Sequence, residues 1–468
     1  MNINSILEYD YKNRRDKEYI FEKTDGVFRG RTFGQLISDV HSLAHLLLEK
    51  VPAGSAVGII GKNSYALMVA DLAVTGYTGV SVMLAKEMSE DVILSMLERT
   101  NAKAIIYDDD LSKTAERLNK RRPMFCLSMS CLYSLSPPPA LFDLPVKDEA
   151  ECCKIVFSSG TTGPSKGIKL TQKVIFAGYH ELIKRVPLGE NDTDYLFLPL
   201  HHTYAGVYNF YYSLVGGYSI YLSSSPSKIA EELREVNPTI FCAVPLVYKR
   251  LLNVFGDRIT SAFGTNIKYL FTGGAPCSDE IRTALSSFPL IRSYGLSETA
   301  ASFAISYLGD DDASCGTVFE SIDAKVFRPD ENGIGEIICK GDTVFPGYLD
   351  PELTAAAFDE NGYFHTGDLG MIKDGKLYIR GRKKNILVGD NGKNIDVEAL
   401  CALLRSLSGN LTQVRLYLNN NRLNADLYVK NTEEDISEAV GRFNGQVMRH
   451  ERIDSFRVIA DAAASRLK

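Results

Sequence analysis

Short apolar runs rich in β-branched and aromatic residues recur between helical patterns at residues 56–60, 103–107, 154–157, 218–222, 239–244 and 268–272. Strands that return parallel to one another need long crossovers, usually helices, so this alternation predicts βα units and largely parallel sheets. An α/β fold follows. At 468 residues the chain holds roughly three average domains, or one large body with a smaller partner. From about residue 323 the texture changes to short strands, at 336–340 and 376–379, and turns, at 330–335 and 374–375. These predict a small β-rich subdomain over about 323–380, closing a body of βα layered sheets. No repeat of fixed period stands out.

The basic run Arg380-Gly381-Arg382-Lys383-Lys384 precedes what reads as a compact α+β unit, with a helix at 397–407, a hairpin at 414–429 turning across 419–421, and a helix near 433–443. A boundary at about 381 therefore divides a body of 1–380 from a small mobile cap of 381–468. Residues 65–84 form the one membrane candidate, broken by Asp71 and a few small or hydroxyl residues. A helix from Ser64 to about Thr75, stopped by Gly76 and Gly79 and followed by a strand at 80–84, accounts for it better. No transmembrane segment is expected. Residues 1–19 carry charges where an export signal needs an apolar stretch.

With 52 Lys+Arg against 58 Asp+Glu, a net charge of −6 and 45% hydrophobic residues, the composition argues against a dedicated nucleic-acid binder and against a disordered chain. The nine cysteines are scattered, with no C-x-x-C pair and no histidine pair spaced to complete a zinc set. A reducing, cytoplasmic setting is the simplest account.

The strongest chemical signal runs from Ile155 to Gly167. An apolar strand leads straight into Ser158, Ser159, Gly160, Thr161, Thr162, Gly163, Pro164, Ser165 and Lys166. Glycines let backbone N–H groups approach an anion, hydroxyls add donors, and a lysine supplies a point charge, which is the chemistry of a phosphate cradle. The order is not that of a Walker A loop, because Ser165 precedes the lysine and Gly167 follows it. A plain Ser/Gly linker would rarely follow a buried strand and carry Thr-Thr-Gly-Pro at its turn.

This stretch resembles the signature loop of the adenylate-forming enzymes, the superfamily of acyl-CoA synthetases, luciferases and peptide-synthetase adenylation domains. Gly273-Gly274-Ala275-Pro276, Tyr294-Gly295-Leu296-Ser297-Glu298-Thr299, Gly362-Tyr363-Phe364-His365-Thr366-Gly367-Asp368, Gly381-Arg382-Lys383-Lys384 and Gly392-Lys393-Asn394-Ile395 are similar to further core motifs, in the family's order and approximate spacing. The resemblance covers nearly the whole chain. It implies use of ATP, Mg²⁺ and coenzyme A, or of phosphopantetheine on an acyl carrier protein. It also implies that Gly273, Gly274 and Ala275 let adenine and acyl group lie against backbone, and that Tyr294 stacks on the purine beside Gly295. Ser297 would then donate to the α-phosphate, and Glu298 would hold Mg²⁺ with Thr162 in that metal's shell. Asp368 would accept the ribose hydroxyls with Arg382 assisting, while Ser158, Ser159, Gly160, Thr161, Gly163 and Lys166 would cradle the departing pyrophosphate. Lys384 falls at the family's hinge, from which the loop Gly389-Asp390-Asn391-Gly392 would swing in for a second half-reaction.

Phe197 to Tyr204 falls where the family begins its acyl pocket. Amino-acid-activating relatives place an Asp in this neighbourhood, and His202 stands here instead, so an α-amino acid is disfavoured. Pro199-Leu200-His201-His202-Thr203-Tyr204 is similar to bacterial long-chain acyl-CoA synthetase-like ligases, which makes His202, Tyr204 and Gly274 candidate pocket residues. Tyr208, Phe210 and Tyr211 either line that pocket or belong to the core. The expected reaction is adenylation of a carboxylic acid, a fatty acid above others, followed by transfer to a thiol. The family normally ends with a Pro/Thr/Gly-rich loop that delivers a lysine to the acyl carboxylate. Lys468 stands in that place without those neighbours. Three readings follow: an acid–thiol ligase in which Lys468 serves adenylation, a non-catalytic member that binds nucleotide or acyl-AMP, or phosphoryl transfer from the γ-phosphate of ATP.

Overall fold

All six apolar runs are strands in the computed structural model, which describes every residue except 159–164, 308–309, 311–312, 384–385, 389–393, 420–421 and 462–468. The chain divides into two units. Met1–Lys325, Ile338–His365 and Ile372–Tyr378 form the first; Val326–Ile337, Thr366–Met371 and Ile379–Lys468 form the second.

One sheet of the first unit has the order Gly347–Tyr348, Gly167–Thr171, Cys152–Phe157, Gly79–Leu84, Ser55–Ile60, Ala104–Tyr107, Phe125–Ser128. The last five are parallel, joined in sequence by helices Tyr65–Ala73, Glu90–Arg99 and Ser112–Arg121. Ile59, Val82 and Ile106 are fully buried, as expected of strands covered on both faces. In a second sheet Glu18–Thr24, Ser219–Leu222, Thr193–Leu196, Ile240–Ala243, Tyr269–Thr272 and Leu290–Tyr294 are successive parallel neighbours. Their carboxyl ends therefore share one edge. Strands Ile322–Phe327, Gly335–Gly341, Phe364–Lys373 and Lys376–Arg382 realise the expected β-rich texture. Asp374 and Gly375 turn between the last two with φ of 52° and 73°, the two positive angles of a type I′ hairpin turn.

The apolar stretch 65–84 resolves into helix Tyr65–Ala73, a single π turn Val74–Thr78 and strand Gly79–Leu84. Ser64 caps the helix by accepting from the Leu67 N–H. A Cβ on Gly79 would stand 1.9 Å from the Ser55 carbonyl oxygen, so only glycine lets this strand enter the sheet. No helix among the described residues is long and apolar enough to cross a membrane. Asp71, the charge that breaks the apolar stretch, pairs with Lys154 of Cys152–Phe157, and the two side chains are 2% and 1% exposed. Ser81 Oγ donates to the same carboxylate at 2.6 Å and the Tyr211 hydroxyl at 2.9 Å. Thr75 Oγ1 lies 3.2 Å from the Tyr211 hydroxyl, linking the first π turn to an eight-residue π-helix, Tyr204–Tyr211.

In the second unit, helices Val397–Ser406 and Ser437–Gln446 accompany a three-stranded sheet. Arg422–Val429 lies in its middle, antiparallel to Leu411–Asn419 and parallel to Ile453–Ala460. Ala425, Leu427 and Val429 pack with Leu404 and Phe443 as its core. All nine cysteines are free thiols.

Candidate active site

The phosphate-loop segment begins and ends on one hairpin, with Cys152–Phe157 antiparallel to Gly167–Thr171 and Phe157 opposite Gly167. The Ser158 N–H donates to the Lys166 carbonyl at 3.1 Å, and Ser165 Oγ donates to the Ser158 carbonyl. These bonds pin both ends of the loop. Ser159, Gly160, Thr161, Thr162 and Gly163 lie outside the described residues.

Lys166 is exposed, with its ammonium 4.8 Å from the centroid of the Tyr348 ring, within cation–π range. Tyr348 reaches this position on the two-residue strand Gly347–Tyr348, paired to Gly167–Thr171. Its hydroxyl donates to Glu298 Oε1 at 2.9 Å, and the Phe345 N–H donates to the Glu298 carbonyl at 2.8 Å. Burial first, then the Glu298 charge, pushes the Tyr348 phenol far above its ordinary range, so it stays protonated and remains a donor. Lys166 and Glu298, the expected phosphate and metal residues, thus both touch one tyrosine that carried no signal in the sequence.

Glu298 sits in a short 3₁₀ turn, Ser297–Thr299, followed by Ala300 and Ala301 with φ of 47° and 96°. Gly295 makes this tight return possible. A Cβ there would lie 2.2 Å from the Ala301 carbonyl oxygen and 2.3 Å from Ser302 Cα. Both obstacles are backbone, so Gly295→Ala must shift the turn that carries Ser297 and Glu298. Nucleotide affinity by calorimetry is expected to fall at least about tenfold, since small misplacements at a reacting centre are costly; unchanged affinity would separate this turn from nucleotide binding.

Gly273, Gly274 and Ala275 follow strand Tyr269–Thr272, and Tyr294 ends its parallel neighbour Leu290–Tyr294, with Thr272 opposite Arg292. Phe197 and the two histidines follow Thr193–Leu196 of the same sheet. Carboxyl ends of parallel strands are where open α/β sheets bind ligands. Gly274 has φ of 75°, which favours glycine, and a Cβ there would be in ordinary van der Waals contact with Val244 Cγ1 at 3.8 Å. Thr203 Oγ1 lies 3.5 Å from Ser297 Oγ, so the start of the expected acyl segment adjoins the expected α-phosphate donor.

The His201 and His202 rings are 4.3 Å apart. Burial, then the neighbouring ring, lowers the pKa of His201 to about 4, and surrounding protein lowers that of His202. Yet His202 is exposed. A ring open to solvent but hemmed in by protein is what a side chain in a recess would show, and both imidazoles are neutral at pH 7. Behind them the Asp194 carboxylate is buried, with Asn209 Nδ2 donating to Oδ2 at 2.7 Å. Burial pushes its pKa up to about 7, against about 3.9 in an unfolded chain. Between those values the folded state holds a proton that the unfolded chain has released, so stability falls as pH rises through the window. Asp194→Asn should flatten the stability profile from about pH 4 to about pH 7. Denaturant titrations across that range check this, and parallel profiles for variant and wild type would count against it.

In the second unit, Asp368 is buried and Arg382 Nε lies 3.1 Å from its Oδ1. The Asp368 N–H donates to Thr366 Oγ1 at 3.1 Å, and that hydroxyl donates to the Ile337 carbonyl at 2.6 Å. Glu336 anchors the adjacent backbone by accepting from the Gly367 N–H at 3.1 Å and from Lys383 Nζ at 3.0 Å. The structure therefore brings Asp368 and Arg382 together on a fixed support. Lys384, the loop 389–392 and Lys468 lie outside the described residues.

No cluster of three or more metal-ligating side chains occurs among the described residues. Mg²⁺ is commonly held by one or two carboxylates with substrate phosphates completing its shell. The single half-buried Glu298 beside Ser297 fits that mode.

Solved structures share this fold. ATP-bound MatB from Rhodopseudomonas palustris matches at a TM-score of 0.83 with 20% identity, covering 98% of this chain and 95% of that one. o-Succinylbenzoate CoA synthetase from Bacillus subtilis, in complex with its acyl-adenylate intermediate, matches at 0.83 with 20% identity, covering 97% and 94%. Residues 7–349 match the model of the AMP-binding enzyme family, and the chain belongs to that family. Among relatives, a long-chain-fatty-acid–CoA ligase from Xenopus laevis is 25% identical over 423 residues, covering 72% of this chain and 57% of that protein. Long-chain-fatty-acid–CoA ligase 5 from Rattus norvegicus is 25% identical over 468 residues, covering 81% and 68%. The chain spans about 60% of the length of the first relatives it matches.

Proposed function

We propose that this protein is an acid–thiol ligase that activates a carboxylic acid, specifically a fatty acid, as acyl-AMP and passes the acyl group to coenzyme A. The observation that carries the reading is the contact of Lys166 and Glu298 with Tyr348, which joins the anion loop to the carboxylate expected to hold the metal. In the first half-reaction a carboxylate oxygen attacks the α-phosphorus of ATP, forming acyl-AMP, and pyrophosphate leaves. In the second a thiol attacks the acyl carbonyl, AMP departs, and the thiol proton passes to solvent. Bound Mg²⁺ neutralises phosphate charge. The work of the chain's own residues is positioning and electrostatic stabilisation. Ser297 donates to the α-phosphate, Lys166 and the loop hydroxyls hold the leaving pyrophosphate, and Tyr294 stacks on adenine over Gly273, Gly274 and Ala275. Asp368 accepts from the ribose with Arg382 assisting, and Lys468 serves the acyl carboxylate. On this reading 381–468 acts as a cap that turns about Lys384 against the body of 1–380.

Pyrophosphate release and nucleotide products, measured from ATP with a panel of fatty and aryl acids, test the proposal. Acid-dependent pyrophosphate and AMP are expected. ADP as product would replace it with γ-phosphoryl transfer, and intact nucleotide binding without acid-dependent release would favour a nucleotide or acyl-AMP binder. Acyl transfer to a carrier-protein phosphopantetheine in place of coenzyme A is the second reading, resolved by offering both thiols to acyl-AMP.

A further inference from the structure

Buried hydrogen-bonding groups in folded proteins nearly always have partners. Among the described residues, the hydroxyls of Tyr204 and Tyr208 and Asp194 Oδ1 are buried without one. They are neighbours. The Tyr204 and Tyr208 rings lie 5.8 Å apart, and Tyr208 lies 5.6 Å from Phe271. Asn209, which follows Tyr208, holds Asp194, and Cys242, paired in register with Phe271, feels the charge of Asp194. The two tyrosines belong to the π-helix Tyr204–Tyr211, a geometry that recurs at functional sites. This helix begins one residue after Thr203, which reaches Ser297. The unpaired cluster thus starts on the segment that adjoins the expected α-phosphate donor. A wholly hydrocarbon tail would leave each of these groups unsatisfied at a cost that phenylalanine would avoid.

On the ligase reading above, we propose that the acyl pocket recognises an uncharged oxygen function on the chain of its substrate, so that the preferred acid is a hydroxy or oxo acid. An unpaired phenol donates to a carbonyl or hydroxyl oxygen and can accept from a hydroxyl. Charge argues against a second carboxylate. The cation within electrostatic reach of Tyr208 is Arg185, which already donates to the Thr317 and Val318 carbonyls and pairs with Glu181 at 3.8 Å.

The test compares the full chain's kcat/KM for pyrophosphate release with saturated acids of one length, unsubstituted or carrying a single hydroxyl or keto group moved along the chain. At least one substituted isomer is expected to exceed the unsubstituted acid by about tenfold or more. In Tyr204→Phe and Tyr208→Phe the ratio between the two should fall toward one. Calorimetric binding of the same acids needs no turnover and reads the same preference, so failure of the ligase reading stays separate from failure of this one. Equal kcat/KM and equal binding for substituted and unsubstituted acids, or a preference that both variants retain in full, would overturn the proposal. Ordered water would then be what satisfies these groups.

Discussion

Lys154→Met is expected to cost about 3–5 kcal/mol of folding stability, the usual consequence of removing one partner of a buried ion pair. The methionine fills the space of the lysine stem, so the loss is electrostatic. Asp71 would keep its bonds from Ser81 and Tyr211 but lose the cation that pairs with it, at a site where its side chain is 2% exposed. Neutralising both partners removes the stranded charge, and Lys154→Met with Asp71→Leu should recover most of the lost stability. Urea unfolding of the wild type, the single variant and the double variant gives the answer. If the single variant lost less than about 1 kcal/mol, the figure common for exposed pairs, the pair would be no more than a surface-type contact. The pair also has a place in the site. Lys154 lies on the strand that runs into Ser158, while Asp71 receives the hydroxyl of Tyr211 at the end of the π-helix. A double variant that folds normally yet binds acid poorly would show that the charges set the relation between anion loop and acyl segment.

Much of this arrangement was legible in the sequence. Five of the six apolar runs became strands covered on both faces, a requirement that leaves a continuous hydrophobic signature, while Ser219–Leu222 alternates. Gly79 and the Asp374-Gly375 turn acted where they were expected, the first by a close backbone approach and the second by positive φ. Asp368 and Arg382, drawn from motifs fourteen residues apart, do meet. Other features had no local signal. Tyr348 stands on a strand of two residues, too short for periodicity, and its partner Glu298 is fifty positions away. Asp71 announced itself as a charge within an apolar helix, but nothing nearby named Lys154, which comes from strand Cys152–Phe157 far along the chain. The π turns are equally silent, because one inserted residue leaves hydrophobic spacing almost unchanged. Ile453–Ala460 escaped because it lies at the edge of its small sheet with most side chains exposed, which blurs alternation.

Glu298→Gln should lower kcat for acid-dependent pyrophosphate release by roughly 10²–10³-fold, the range seen when one preorganised electrostatic contact to a transition state is removed. The amide keeps an oxygen for the Tyr348 hydroxyl, and the turn is still held by the Phe345 N–H on the residue's carbonyl. Fold and tyrosine position should therefore persist, while the negative charge proposed to draw Mg²⁺ is gone. The variant should need far more Mg²⁺ for half-maximal rate, a shift that a purely structural glutamate would not produce. Tyr348→Phe separates the two halves of the contact. It retains a ring beneath the Lys166 ammonium, 4.8 Å from the centroid in the wild type, but removes the donor to Glu298. Losing one hydrogen bond to a charged group corresponds to about 1.5–3 kcal/mol, so its rate should fall less than that of Glu298→Gln, with a smaller change in Mg²⁺ dependence. Equal Mg²⁺ dependence in the wild type and Glu298→Gln would move the metal to another residue. A larger defect in Tyr348→Phe than in Glu298→Gln would instead make the tyrosine, through the pose it gives Lys166, the group on which pyrophosphate departure depends.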